Sequence, residues 1–165
     1  MERAAFASFA CSISRTSAIV AEPWTPLILR DLFLGFERFD EIQRDLGVAS
    51  NVLASRLRKL AGDGVVERQP DPADARAAVY RLTAKGRDLY PLLLAMLAFG
   101  DKWEAGRAGV PLRLRHRACG RITAAVPCCS VCGAAVAFED LELLPGPGGR
   151  TAPGTALVAA RLGLP

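Results

Sequence analysis

Histidine is almost absent from this 165-residue chain, with His116 as its single copy. One imidazole gives little material for a nucleophile and base pair, and no serine, cysteine or lysine stands in such a pairing elsewhere. An enzyme is therefore not expected. Long hydrophobic runs are missing too. The longest, from Pro91 to Phe99, falls far short of the roughly 20 residues a membrane helix needs. The apolar residues from Ala4 to Ala10 are crowded by Glu2, Arg15 and Glu22, with no cleavage pattern after them. Neither a signal peptide nor a membrane contact is expected, and the cytoplasm is the expected location. Strong charge of either sign is also lacking. The net charge of +4 permits a polyanionic partner without requiring one. Five cysteines, an odd number, with four between Cys119 and Cys132, suit a reducing compartment better than a disulfide framework.

The positive content lies between Arg38 and Arg81. Phe39, Ile42 and Leu46 recur at helical spacing, and Gly47 follows where a left-handed helix stop belongs. Ser50 is the expected N-cap of the next helix. There Leu53, Leu57 and Leu60 share one face while Asn51, Ser55 and Arg58 point the other way. Gly62 and Gly64 end that helix. Val65 to Arg68 and Val79 to Leu82 read as strands joined by a turn-rich loop. This order of helix, turn, helix and hairpin is that of a winged helix-turn-helix, a DNA reader.

Base edges are read by a firmly seated helix that presents amide-bearing or long side chains to the major groove. Ser50, Asn51, Ser55 and Arg58 suit that task, with Val52 placed to touch a thymine methyl. Arg56 and Lys59 flank the face and are expected at phosphates, which position without reading sequence. Arg76 at the hairpin tip, with Arg68 and Arg81 at its base, is expected to probe the minor groove or backbone.

On either side lie further helices. One is expected from Ser12 to Ala21. A second is capped by Thr25, with Pro26 at its first position. A long one is capped by Thr83 and runs to about Trp103, with a broad apolar face that a small winged helix cannot cover alone. The expected fold is α+β, mainly α: a winged helix-turn-helix with flanking dimerisation helices and a small C-terminal cysteine-rich ribbon. Its expected parts are residues 11–104, the module 105–144 and a flexible tail 145–165.

The motifs Trp24-Thr25-Pro26-Leu27-Ile28-Leu29-Arg30-Asp31-Leu32, Arg38-Phe39-Asp40-Glu41-Ile42, Leu53-Ala54-Ser55-Arg56-Leu57, Gly64-Val65-Val66-Glu67-Arg68 and Tyr80-Arg81-Leu82-Thr83-Ala84-Lys85-Gly86 together resemble the HxlR family of bacterial transcriptional regulators. The resemblance runs in order from residue 11 to about 103. It implies a homodimer whose two recognition helices enter successive major grooves of double-stranded DNA, more often as a repressor. Two alternatives stay open. One is a thiol-based regulator that answers an oxidant or electrophile through Cys11, because helix N-termini favour the reactive thiolate. The other is a winged helix that binds protein.

His116-x2-Cys119 and Cys129-x2-Cys132 form two close pairs of the kind that build a tetrahedral zinc ribbon. Cys128, next to Cys129, is an alternative third ligand. Four protein ligands leave no open position, so the expected zinc is structural.

Overall fold

The computed structural model describes residue 6 and residues 8–165, apart from the side chains of residues 75 and 76. The chain divides into two compact units. The first comprises the residues up to 83 together with 142–165; the second is 84–141. The boundary differs from the one the sequence suggests, because the helical segment after Thr83 joins the cysteine-rich residues.

In the first unit, α1 (Ser12–Val20) and α2 (Trp24–Leu34) precede α3 (Phe39–Leu46), α4 (Ser50–Gly62) and the strands β1 (Val66–Asp71) and β2 (Asp74–Leu82). Helix α2 is the hub of this unit, packing against α1, α3, α4 and β2. Its Ile28 and Leu29 are completely buried, as are Ile42 of α3 and Leu53 of α4. These residues recur at helical spacing, so one stripe of each helix meets the others. The helix begins one residue before Thr25, which does not cap it. Instead the buried Thr25 hydroxyl donates to the Glu22 carboxylate at 3.3 Å.

The strands run farther than the sequence suggests, and the turn between them narrows to Pro72 and Ala73. Asp71 closes that turn by accepting the Ala73 amide at 2.8 Å, a use of aspartate common in tight turns. Pro70 tolerates its place in β1 because β1 is an edge strand, where a missing amide breaks no ladder. On the other side of β2, Arg38 bridges Val79 and the Tyr80 amide donates to the Glu37 carbonyl at 2.8 Å.

Residues 145–165 are not a loose tail. They include α7 (Ala156–Arg161), where Ala159 and the preceding Thr155 are buried. The Thr155 hydroxyl bonds carbonyls of Arg150 and Ala152. Alanine-rich helical residues and one apolar contact surface are enough to overcome the glycine and proline content around them.

The second unit holds α5 (Ala84–Arg87), α6 (Tyr90–Trp103), a two-stranded hairpin of β3 (Leu114–Arg115) and β4 (Ile122–Thr123), and a 3-10 turn at Phe138–Asp140. The single helix expected from Thr83 is thus broken at Asp88 and Leu89. Pro91 has no amide to give the Arg87 carbonyl, so the ladder restarts, with the proline in the first turn of α6 where no such bond is needed. The Thr83 hydroxyl, just before α5, donates to the Gly64 carbonyl at 2.7 Å, within the first unit. No helix among the described residues is long and apolar enough to cross a membrane.

Candidate nucleic-acid interface

Helix α4 is amphipathic in the sense a DNA reader requires. Leu53, Leu57 and Leu60 are all but inaccessible, while Asn51, Ser55 and Arg58 are exposed. The buried stripe fixes the helix against α2 and β1, so the exposed stripe is held at a defined height and angle.

The turn before α4 is equally fixed. Gly47 takes φ +60, a conformation costly for other residues. The Gln43 side chain of α3 then spans the turn, donating to the Ser50 hydroxyl at 2.7 Å and to the Val48 carbonyl at 3.3 Å. Ser50 is therefore the first residue of α4 and a receiver of this brace, while Ala49 occupies the cap position without a side-chain bond. The Asn51 side-chain Oδ1 accepts the amide of Val52 at 2.9 Å, beside the bond that this amide gives the Ala49 carbonyl at 3.0 Å. Val52 itself is half-buried.

Several cations expected at phosphates are already occupied. Arg56 points back toward Glu22, with Nε 3.2 Å from the carboxylate in an ion pair off the line of a hydrogen bond. Lys59 pairs with Asp63 one turn on, at 3.0 Å. Arg81 donates to Glu37 at 2.9 Å and to Gln69 at 3.2 Å, tying the hairpin to the segment before α3. For Arg56 and Arg81 the carboxylates come from elements far apart in sequence, which a reading of α4 and β2 alone could not anticipate. Arg58 and Arg68 remain exposed and make no ion pair among the described residues. Arg76 has its side chain outside the described residues, and the hairpin turn falls at Pro72 and Ala73.

Sequence reasoning passed over four residues that shape this surface. Gln43 holds the start of α4 through Ser50, and Glu22 holds its middle through Arg56. Arg38 places Nη2 2.7 Å from Asp71 and its amide donates to Glu41 at 3.1 Å, joining the start of α3 to the hairpin turn. Arg44 is largely exposed on α3, with only a loose partner in Asp40 at 3.4 Å. A basic residue two before Leu46 was the only signal for it.

Beneath α4 lies one electrostatic strain. Asp31 is fully buried, and although Arg30 donates to one of its oxygens at 2.8 and 2.6 Å, the other has no partner among the described residues. Burial pushes the Asp31 carboxyl above its ordinary value, and the Arg30 bonds only partly offset it.

Cys11 stands at the N-cap of α1 in extended conformation, partly exposed, with no side-chain cap bond. Arg15, one turn on, directs Nε to the Phe9 carbonyl at 3.0 Å. The other four cysteines lie in the second unit. His116 and Cys119 approach to 3.4 Å. The amides of Cys132 and Val131 point at the Cys129 thiol and hold it below its ordinary value. The four residues lie as two pairs: among the described residues, no three candidate ligands surround one point.

Residues 19–107 match the family model of the HxlR-like helix-turn-helix. The chain is 37% identical over 137 residues to the HTH-type transcriptional regulator Rv3095 of Mycobacterium tuberculosis, covering 83% of this chain and 87% of the relative. Those 137 aligned residues exceed the span of the family match, so the likeness continues outside it. Among solved structures, PA1607, assigned as a transcription factor, superimposes with a TM-score of 0.76 at 34% identity, over 83% of this chain and 96% of that one. PA1374 of Pseudomonas aeruginosa superimposes with a TM-score of 0.59 at 34% identity, over 84% and 94%.

Proposed function

The chain belongs to the HxlR-like helix-turn-helix family and is a transcriptional regulator of that kind; we propose that it acts as a cytoplasmic homodimer, in the sense of a repressor, on a pseudo-palindromic site in double-stranded DNA. The observation that carries this reading is α4, with Leu53, Leu57 and Leu60 buried on one side and Asn51, Ser55 and Arg58 presented together on the other. In the proposed complex these three reach base edges, while Arg44 on α3 and Arg68 on the hairpin meet phosphates. Arg56, Lys59 and Arg81 serve instead as internal braces for the reader.

Dimer formation is supported by apolar surface that the single chain leaves uncovered. On α6, Phe99 and Trp103 are each 63% exposed, and on α1 Ile13 is 79% exposed. Large exposed apolar side chains of this kind mark interaction sites more often than plain solvent-facing surface. Selection of bound sequences from a random DNA pool, with sedimentation of the free protein, tests both parts. Enrichment of a two-fold-symmetric sequence and a dimeric mass are expected; no enrichment, or a monomer that binds as tightly, overturns the reading.

A second reading, in which oxidation of Cys11 modulates DNA binding, is favoured by the position of that thiol at the N-terminus of α1. The thiol is partly exposed and makes no cap bond, so an oxidant can reach it. Under peroxide or aldehyde, the Cys11→Ser protein should keep its affinity while the unmodified protein loses it; equal responses reject the sensor.

A further inference from the structure

Not one residue from 105 to 141 is buried. Val131 is 93% exposed and Phe138 83%. A stretch this short and without a core needs a cross-link, a metal or a partner to hold its shape, as do most segments below about 40 residues. All four of its cysteines are free.

Within this coreless stretch the backbone makes the same turn twice. The His116 amide donates to the Arg121 carbonyl at 2.9 Å, and the Gly120 amide returns to the His116 carbonyl at 2.8 Å. The Cys129 amide donates to the Ala134 carbonyl at 2.8 Å, and the Gly133 amide returns to the Cys129 carbonyl at 2.9 Å. In both turns the spacing is identical: a ligating residue, a second three positions on, then glycine with φ near +70, at +69 for Gly120 and +74 for Gly133. A left-handed residue is needed there to bend the chain back, and only glycine takes it without strain. What the two turns share beyond an ordinary glycine-closed turn is the second backbone bond, from the first residue to the fifth after it, with a His or Cys at both the first and the fourth position, as in two chelating knuckles.

The side chains agree with the backbone. A tetrahedral zinc with its usual bonds to sulfur and nitrogen places the two ligand atoms about 3.5 Å apart, and His116 Nδ1 lies 3.4 Å from Cys119 Sγ. In the second turn Cys129 and Cys132 hold the same two positions ahead of the left-handed Gly133 as His116 and Cys119 hold ahead of Gly120. Cys128 is set apart from this turn, since its backbone pairs with Ala135 as a strand bridge.

We propose that His116, Cys119, Cys129 and Cys132 bind one structural zinc ion that joins the two turns and supplies the stability the missing core does not. Each knuckle is formed by the chain's own backbone bonds, although among the described residues no three of these side chains surround one point; the nine residues between Cys119 and Cys129 can span up to about 30 Å, so the chain does not prevent the two pairs from meeting. Such coupling of metal binding to local folding is common where a core is absent.

The test uses the full chain, expressed with added zinc and purified under reducing conditions without chelator. Elemental analysis should find about one zinc per chain. Cys128→Ser should retain it and Cys132→Ser should lose it. Cobalt(II) in place of zinc should give the intense visible bands of a tetrahedral thiolate site. Less than about a tenth of an equivalent in the unmodified chain, or full retention by Cys132→Ser, overturns the proposal. Should Cys132→Ser fail to fold, the cobalt spectrum of the unmodified chain decides alone: tetrahedral thiolate bands support the site, and the weak spectrum of hydrated cobalt rejects it.

Discussion

Replacing Arg58 by alanine separates the reading face of α4 from its seat. Arg58 is exposed and unpaired among the described residues, whereas its neighbours Leu57 and Leu60 are 1% and 2% exposed. The substitution removes no buried contact, so folding stability should stay within about 0.5 kcal/mol of the unmodified chain. Operator binding should respond far more. A bidentate arginine contact to guanine is worth about 1–3 kcal/mol, so each half-site should lose roughly 5- to 150-fold in affinity. The loss should double in free energy across a two-fold operator. Fluorescence anisotropy over a salt series identifies the kind of contact. A lost base contact leaves the slope of log affinity against log salt unchanged, while a lost phosphate contact lowers it by about 0.9. Arg56→Ala is the paired control. Its guanidinium lies 3.2 Å from Glu22 with 28% of the side chain exposed, so its removal should cost stability, by about 1 kcal/mol, and leave the salt slope intact. If Arg58→Ala binds the operator within about twofold of the unmodified protein while Arg56→Ala lowers the slope, the two faces of α4 have been assigned the wrong way round.

Two further predictions concern the seat. Leu57→Ala should destabilise the fold by about 2–5 kcal/mol through the cavity it leaves; a denaturant midpoint unchanged from the unmodified chain contradicts the packing described for α4. Asp31 makes a pH-dependent contribution. Because burial raises its folded-state value, folding favours the protonated acid, so its stabilisation is complete in acid below the ordinary carboxylate value and is lost as pH rises through the raised one. Asp31→Asn keeps an acceptor for Arg30 and carries no charge, so its stability advantage over the unmodified chain should grow from about pH 4 to pH 7. Urea melts across that range check the sign, and an advantage that is flat or shrinks with pH refutes it.

The helices and the amphipathic character of α4 were legible in the sequence because they rest on local periodicity. A leucine every three or four residues has only one way to be buried on a helix, and Gly47 announces a left-handed stop whatever surrounds it. The hairpin was legible in its place but not its length, since pairing extends through Pro70 only where β1 proves to be an edge. Helix caps were the least legible. Thr25 and Ser50 both have cap-forming side chains, yet each found a different partner: Glu22 and Gln43.

By itself, then, the sequence determined the order of elements, the buried stripe of α4 and the matching spacing of His116 with Cys119 and of Cys129 with Cys132, all of which depend on spacing along one short segment. The tertiary structure alone decided which cations are free. Arg56 and Arg81 look like Arg58 and Arg68 in sequence, but their carboxylate partners, Glu22 and Glu37, arrive from 34 and 44 residues away. It also decided that the C-terminal residues fold back as α7, and that Cys129 rather than Cys128 begins the turn that Gly133 closes. A guanidinium's role depends on the charges that surround it in space, and chain folding is what brings them there.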